Sequence, residues 1–129
     1  MFQSDSGVVP VNEINFEDEV LRSKLPVLVD VTAEWCAPCK AAAPVVEAIA
    51  RSTAGRLKVV AIDGGESPDL VAKLGVRGFP TFLGVVGGSV MRSRAGFAGK
   101  KALEALSEEI SALRVEPMSE FCVPAAGGR

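Results

Sequence analysis

The chain has 129 residues, a formal net charge of −2 at pH 7, and 48% hydrophobic against 23% charged residues. That length and mix describe one ordinary folded domain rather than a disordered chain, and the weak charge offers no basic surface for nucleic acid or an anionic membrane. Histidine is absent, which excludes His-ligated metal sites and every Ser-His or Cys-His mechanism within a single chain.

Residues 1–7 carry neither a basic region nor a long apolar run, so they read as a flexible N-terminus and not as a secretory signal. A short first strand is predicted at Val8 to Val11, then a helix from Asn15 to Ser23. Pro26-Val27-Leu28-Val29-Asp30-Val31-Thr32-Ala33 is β-branched and nearly continuous, the pattern of a strand buried on both faces. A helix should run from Pro38 to about Ser52, kinked at Pro44 and stopped near Gly55. The next strand is Leu57 to Ile62, and Ser67-Pro68-Asp69 reads as a helix start with Ser67 as the cap. Strands from Thr81 to Val86 and Ser89 to Ala95 flank Gly87-Gly88, a hairpin signal. Gly99 to Leu113 is amphipathic, with Leu103, Leu106, Ile110 and Leu113 at helical spacing. Beyond it, residues 114–129 read as a flexible tail, so the folded domain is expected over residues 8–113. A strand–helix–strand crossover followed by a hairpin implies an α/β fold with a mixed sheet and helices on both faces. No stretch is long and apolar enough to span a bilayer.

The chemistry is carried by Trp35-Cys36-Ala37-Pro38-Cys39-Lys40, which follows the central strand and opens a helix. Unpaired N–H groups and the dipole at a helix N-terminus favour negative charge, so a cysteine there has a lowered thiol pKa, and thiolate is the nucleophile. Cys36 is expected exposed at that end, with Cys39 one turn further in and more buried. Cys36 can attack a substrate disulfide, and Cys39 can then attack the mixed disulfide to release the product. The competing readings are half of a zinc site and a pair of inert buried thiols. Zinc needs four ligands, and one further cysteine, Cys122, with no histidine falls short. The helix-opening position argues against inert thiols. Cys122 itself reads as an incidental free thiol, the alternative being a regulatory cysteine that forms an intermolecular disulfide or is glutathionylated. Sparse, clustered cysteine usage points to a reducing compartment.

The sequence resembles the thioredoxin family from about Val8 to Leu113. Beyond the cysteine pair, the resemblance rests on Val27-Leu28-Val29-Asp30, Ala33-Glu34-Trp35, Pro44, Gly75-Val76-Arg77-Gly78-Phe79-Pro80-Thr81 and Gly96. It implies a thioredoxin fold, with a central mixed sheet of about four to five strands. It implies that Asp30 is a buried carboxyl near Cys39 that helps deprotonate the second thiol; burial should raise its pKa. It implies a cis bond before Pro80, facing the cysteines, with the backbone of Phe79 offered to an extended substrate. Trp35, Ala37, Pro38, Phe79 and Gly96 would then form an apolar contact patch, with Ala95 and Phe97 at its edge.

The resemblance thus implies a cytoplasmic, monomeric protein-disulfide reductase that needs no cofactor or metal and takes electrons from a separate flavoprotein, thioredoxin reductase. The alternatives are a dedicated extracytoplasmic oxidoreductase of the same fold and a binding subunit of a complex. The sequence departs from the family pattern in four places. Ala37 replaces a glycine, Thr32 stands where many members carry an aromatic residue, Ala61 replaces a lysine near the buried acid, and Gly84 interrupts a strand, which costs packing or marks a bulge.

Overall fold

A run of six residues in the middle of the sheet, Val27–Thr32, is buried at every position, and the other elements are arranged to cover it. The computed structural model describes residues 6–114. The strands are β1 (Val9–Val11), β2 (Val27–Thr32), β3 (Lys58–Asp63), β4 (Thr81–Val86) and β5 (Ser89–Ala95); the helices are α1 (Ala37–Ser52), α2 (Pro68–Lys73) and α3 (Lys100–Ser111). The five strands form one sheet in the order β1-β3-β2-β4-β5. β3 lies parallel to both β1 and β2, while β4 lies antiparallel to β2 and β5. This is the mixed sheet that the element order implies, with five strands where about four to five are expected. The expected tail beyond residue 114, with Cys122, and the first five residues lie outside the described part.

Alternation along β2 divides the core in two. Leu28 packs with Val46, Ile49, Phe82, Leu106 and Ile110 on the face covered by α1 and α3. Val27, Val29 and Val31 pack with Val20, Ile62 and Leu70 on the opposite face. Asp30 has the parity of Leu28, so it belongs to the α1/α3 face, and its register partners there are Ala61 and Phe82. The carboxyl therefore sits between two apolar neighbours.

Local chemistry accounts for the boundaries. Gly87 and Gly88 both have positive φ, 60° and 85°, and Val86 pairs with Ser89 across them; that is the two-residue hairpin geometry that glycine pairs favour. α1 continues through Pro44 without interruption, and Pro44 is exposed. Two expectations are corrected. The helix placed at Asn15 to Ser23 is a single wide π-type turn, Glu17–Leu21, closed by Arg22 N–H donating to the Glu17 carbonyl at 2.9 Å. Ser67 precedes α2 as expected but makes no side-chain cap; it is buried at 2% exposure. The Asp63 side chain organises that loop instead, accepting from the Gly65 and Glu66 N–H groups at 2.8 and 3.3 Å.

Of the two outcomes expected at Gly84, a packing cost or a bulge, the structure shows the bulge. The β4–β5 register shifts between Gly84 and Val85, and a Cβ on Gly84 would approach Ile110 Cγ1 to 2.6 Å and Arg92 Cβ to 3.2 Å. The missing side chain lets α3 close on β4. Ile110 is fully buried and has nowhere to move. Gly84→Ala should therefore destabilise the fold by about 1–3 kcal/mol in urea unfolding. In an Ile110→Ala background the added methyl has room, so the cost should fall; an equal cost in both backgrounds would show that the overlap is not its source.

Candidate active site

β2 ends at Thr32, and the chain turns through Ala33-Glu34-Trp35 into α1. The Cys36 N–H donates to the Ala33 carbonyl at 3.2 Å, which closes the turn. Cys36 is the N-cap of α1, in extended geometry at φ −96° and ψ 113°. Its sulfur does what a cap side chain does: Sγ accepts from the Cys39 N–H at 3.2 Å. A helix N-terminus leaves such N–H groups unpaired. Here one of them points at sulfur, so negative charge on Cys36 Sγ meets a fixed donor and the positive end of the helix dipole. Pro38 occupies the first turn, where a missing N–H costs nothing.

Cys36 and Cys39 are joined in a disulfide with a Cα–Cα separation of 5.2 Å, inside the span that such a bond requires. A disulfide is the oxidised form of such a pair. Cys36 is 5% exposed and Cys39 1%. The expected exposure of Cys36 is thereby corrected: Ala33 packs with both cysteines, and the Phe79 ring packs against the group. Ala37 and Pro38, between the cysteines, are exposed.

The loop before β4 completes the site. The Phe79–Pro80 peptide bond is cis. Thr81 Oγ1 donates to the Gly78 carbonyl at 2.8 Å, and Gly96 N–H donates to the Pro80 carbonyl at 2.7 Å. The first bond closes the loop on itself, and the second ties Gly96, just past the end of β5, to it. Trp35 is 73% exposed, and its ring meets that of Phe79 edge to face with centroids 5.6 Å apart, a favourable aromatic geometry. Trp35, Cys36, Cys39 and Phe79 thus form one contiguous group, and Pro80 with Gly96 a hydrogen-bonded pair.

Asp30 is 1% exposed, and its Oδ1 has no hydrogen-bond partner. Burial pushes its pKa up from 3.8 to about 7, because an apolar surrounding disfavours the charged form. With Ala61 and Phe82 as its strand neighbours, neither flanking position supplies a cation.

Two further residues at the site are given no role by the sequence. Ala33 packs directly on the cysteines. Gly64 lies under the Phe79 ring, where a Cβ would overlap ring atoms Cε1 and Cζ. The available signal for Gly64 was the Gly64-Gly65 pair closing β3, which reads as an ordinary turn. Among the described residues, no group of three or more acidic, Cys or His side chains could hold a metal ion, and no helix is long and apolar enough to cross a membrane.

A family profile described as Thioredoxin matches residues 7–112. The chain is 43% identical over 98 residues to a thioredoxin of Pseudomonas aeruginosa, covering 76% of this chain and 91% of the relative. It is 50% identical over 80 residues to a thioredoxin of Thiocapsa roseopersicina, covering 62% of this chain and 87% of the relative. A thioredoxin of Allochromatium vinosum is 43% identical over 102 residues, covering 79% and 94%. With the cysteine pair already joined across the first turn of α1, these matches make the chain a member of the thioredoxin family and a thiol–disulfide oxidoreductase that reduces protein disulfides.

Proposed function

We propose that residues 8–113 act as a general cytoplasmic reductant, in which Cys36 is the attacking thiol, Cys39 resolves, and Asp30 takes the proton. The observation that carries this reading is the Cys39 N–H held on Cys36 Sγ. It stabilises a thiolate on Cys36 and gives no matching donor to Cys39. In the reduced protein, Cys36 thiolate attacks a substrate disulfide and forms a mixed disulfide, expelling one substrate sulfur as a thiolate. Cys39 then loses its proton to Asp30 and attacks Cys36 Sγ. The Cys36–Cys39 bond forms, the mixed disulfide breaks, and the second substrate sulfur leaves. Two electrons pass from the dithiol to the substrate, ending in the oxidised form described above. A carboxyl with pKa about 7 is matched to taking and returning a proton near neutral pH.

Substrate is held by strand-like pairing with the Phe79 backbone beside Pro80 and by the apolar surface of Trp35, Ala37, Pro38 and Gly96. The protein acts as a monomer, and its dithiol is restored by a separate flavoprotein, thioredoxin reductase.

Insulin-disulfide reduction with dithiothreitol kept limiting tests the assignment. Cys36→Ser should abolish turnover, and Cys39→Ser should stall with substrate covalently attached. Trapping on Cys39 in Cys36→Ser, or a strongly oxidising equilibrium with glutathione, would overturn it.

Asp30 gives a second test. The folded protein keeps the Asp30 proton up to about pH 7, whereas the unfolded chain releases it near pH 3.8. Between those values the native state holds the extra proton. The stability available below pH 3.8 is therefore lost progressively as pH rises, fully so above about 7. Asp30→Ala should thus be more stable than wild type above pH 7 by on the order of 2–4 kcal/mol, with the gain vanishing below pH 4. The same variant should resolve a mixed disulfide at least about tenfold more slowly at pH 7 in quenched-flow measurements. Unchanged resolution would remove Asp30 from the reaction.

A further inference from the structure

β3 ends at Asp63, and the two hydrogen bonds from Gly65 and Glu66 to the Asp63 carboxylate hold the following turn in place. Gly64 is buried in that turn, with its N–H donating to the Thr32 carbonyl at 2.7 Å. Its backbone does not adopt the left-handed region, so conformation alone does not require glycine there. What requires it is the Phe79 ring, whose Cε1 and Cζ atoms occupy the space a Cβ would fill. The ring is therefore fixed on three sides: the bare α-carbon of Gly64 beneath it, the Cys36–Cys39 pair beside it, and Trp35 edge-on. Phe79 remains partly exposed on its fourth side.

We propose that Gly64 is a positioning residue for substrate recognition: it seats Phe79 as a rigid aromatic wedge beside the disulfide, and the wedge selects cysteines flanked by apolar residues on an extended segment. This rests on the reading that the site reduces polypeptide disulfides. A held aromatic ring offers contact area at little conformational cost. Phe79 and Trp35, in edge-to-face contact, present apolar surface next to the cysteine pair. A charged residue next to the substrate cysteine would lose hydration against that surface without gaining a partner, whereas an apolar one gains by burial.

The test uses two disulfide-linked peptides of equal length, one with leucine and one with glutamate beside each cysteine, reduced by the pre-reduced full chain. Wild type should favour the leucine peptide. Gly64→Ala displaces the ring and should raise KM for that peptide by about tenfold, with a much smaller change in kcat. It should also shift the emission of Trp35, the single tryptophan, which reports the ring contact directly. Phe79→Ala should lose the leucine preference by itself, so the proposal remains exposed to failure even if Gly64→Ala folds poorly. In the Phe79→Ala background nothing is left to overlap, and adding Gly64→Ala should change KM by less than about twofold. Equal effects of Gly64→Ala in both backgrounds, or equal losses for both peptides, would overturn the proposal and leave the reductase assignment standing. A wild-type protein that reduces neither peptide would overturn both.

Discussion

The hydrogen bond from the Cys39 N–H to Cys36 Sγ, at 3.2 Å, is the contact on which the proposed chemistry rests, and the packing of the fold places it. A helix can direct its first N–H groups at a sulfur only if its N-terminus is anchored. α1 is anchored because it leaves a strand that is buried along its whole length and packs Val46 and Ile49 on the sheet. Shifting α1 by one residue would bring polar or exposed positions onto the core and remove the donor from the sulfur. Packing energy, which is non-directional, is converted in this way into a directional electrostatic feature at the helix end.

Asp30 stands at odds with that packing. It occupies a core position between Ala61 and Phe82, with one oxygen unpartnered and a pKa pushed up to about 7. A leucine would serve the core better, since an unpaired buried polar atom costs about 1–3 kcal/mol. A buried, unpartnered carboxyl that titrates near neutral pH is the kind of group that proton transfer uses, and this is the ground on which that role is proposed for it. The absence of a neighbouring strand cation leaves desolvation as the cause of the shift. It follows that a cation introduced at position 61 would act on the charged form alone and lower the pKa.

The sequence was readable wherever a residue's effect is local. Gly87-Gly88 determines a hairpin through its own backbone freedom, and the cysteine spacing across one helical turn determines which atoms can bond. The amphipathic spacing of Leu103, Leu106 and Ile110 located α3 to within two residues at each end. Misreadings occurred where distant groups decide the outcome. Ser67 has the chemistry of a cap, but its burial and the Asp63 carboxylate settle that loop. Cys36 has the position of an exposed thiol, yet Ala33 and Phe79, from two separate loops, close over it. The Asn15 to Ser23 segment had helical composition, but only one wide turn forms between β1 and β2.

Gly64 and Gly84 extend the same point to side chains that are missing. Neither glycine can be interpreted from its neighbours, because the atom that forbids a Cβ belongs to Phe79 in one case and Ile110 in the other. Both sites lie where an element crosses the sheet closely: α3 over β4 at Gly84, and the loop before β4 over the end of β3 at Gly64. Removing a Cβ lowers the packing contribution of the glycine itself but lets a larger side chain from elsewhere settle in one position. At Gly84 that side chain is wholly buried and the result is stability. At Gly64 it is Phe79, half-buried beside the disulfide, so the same steric device reaches the surface where substrate must dock.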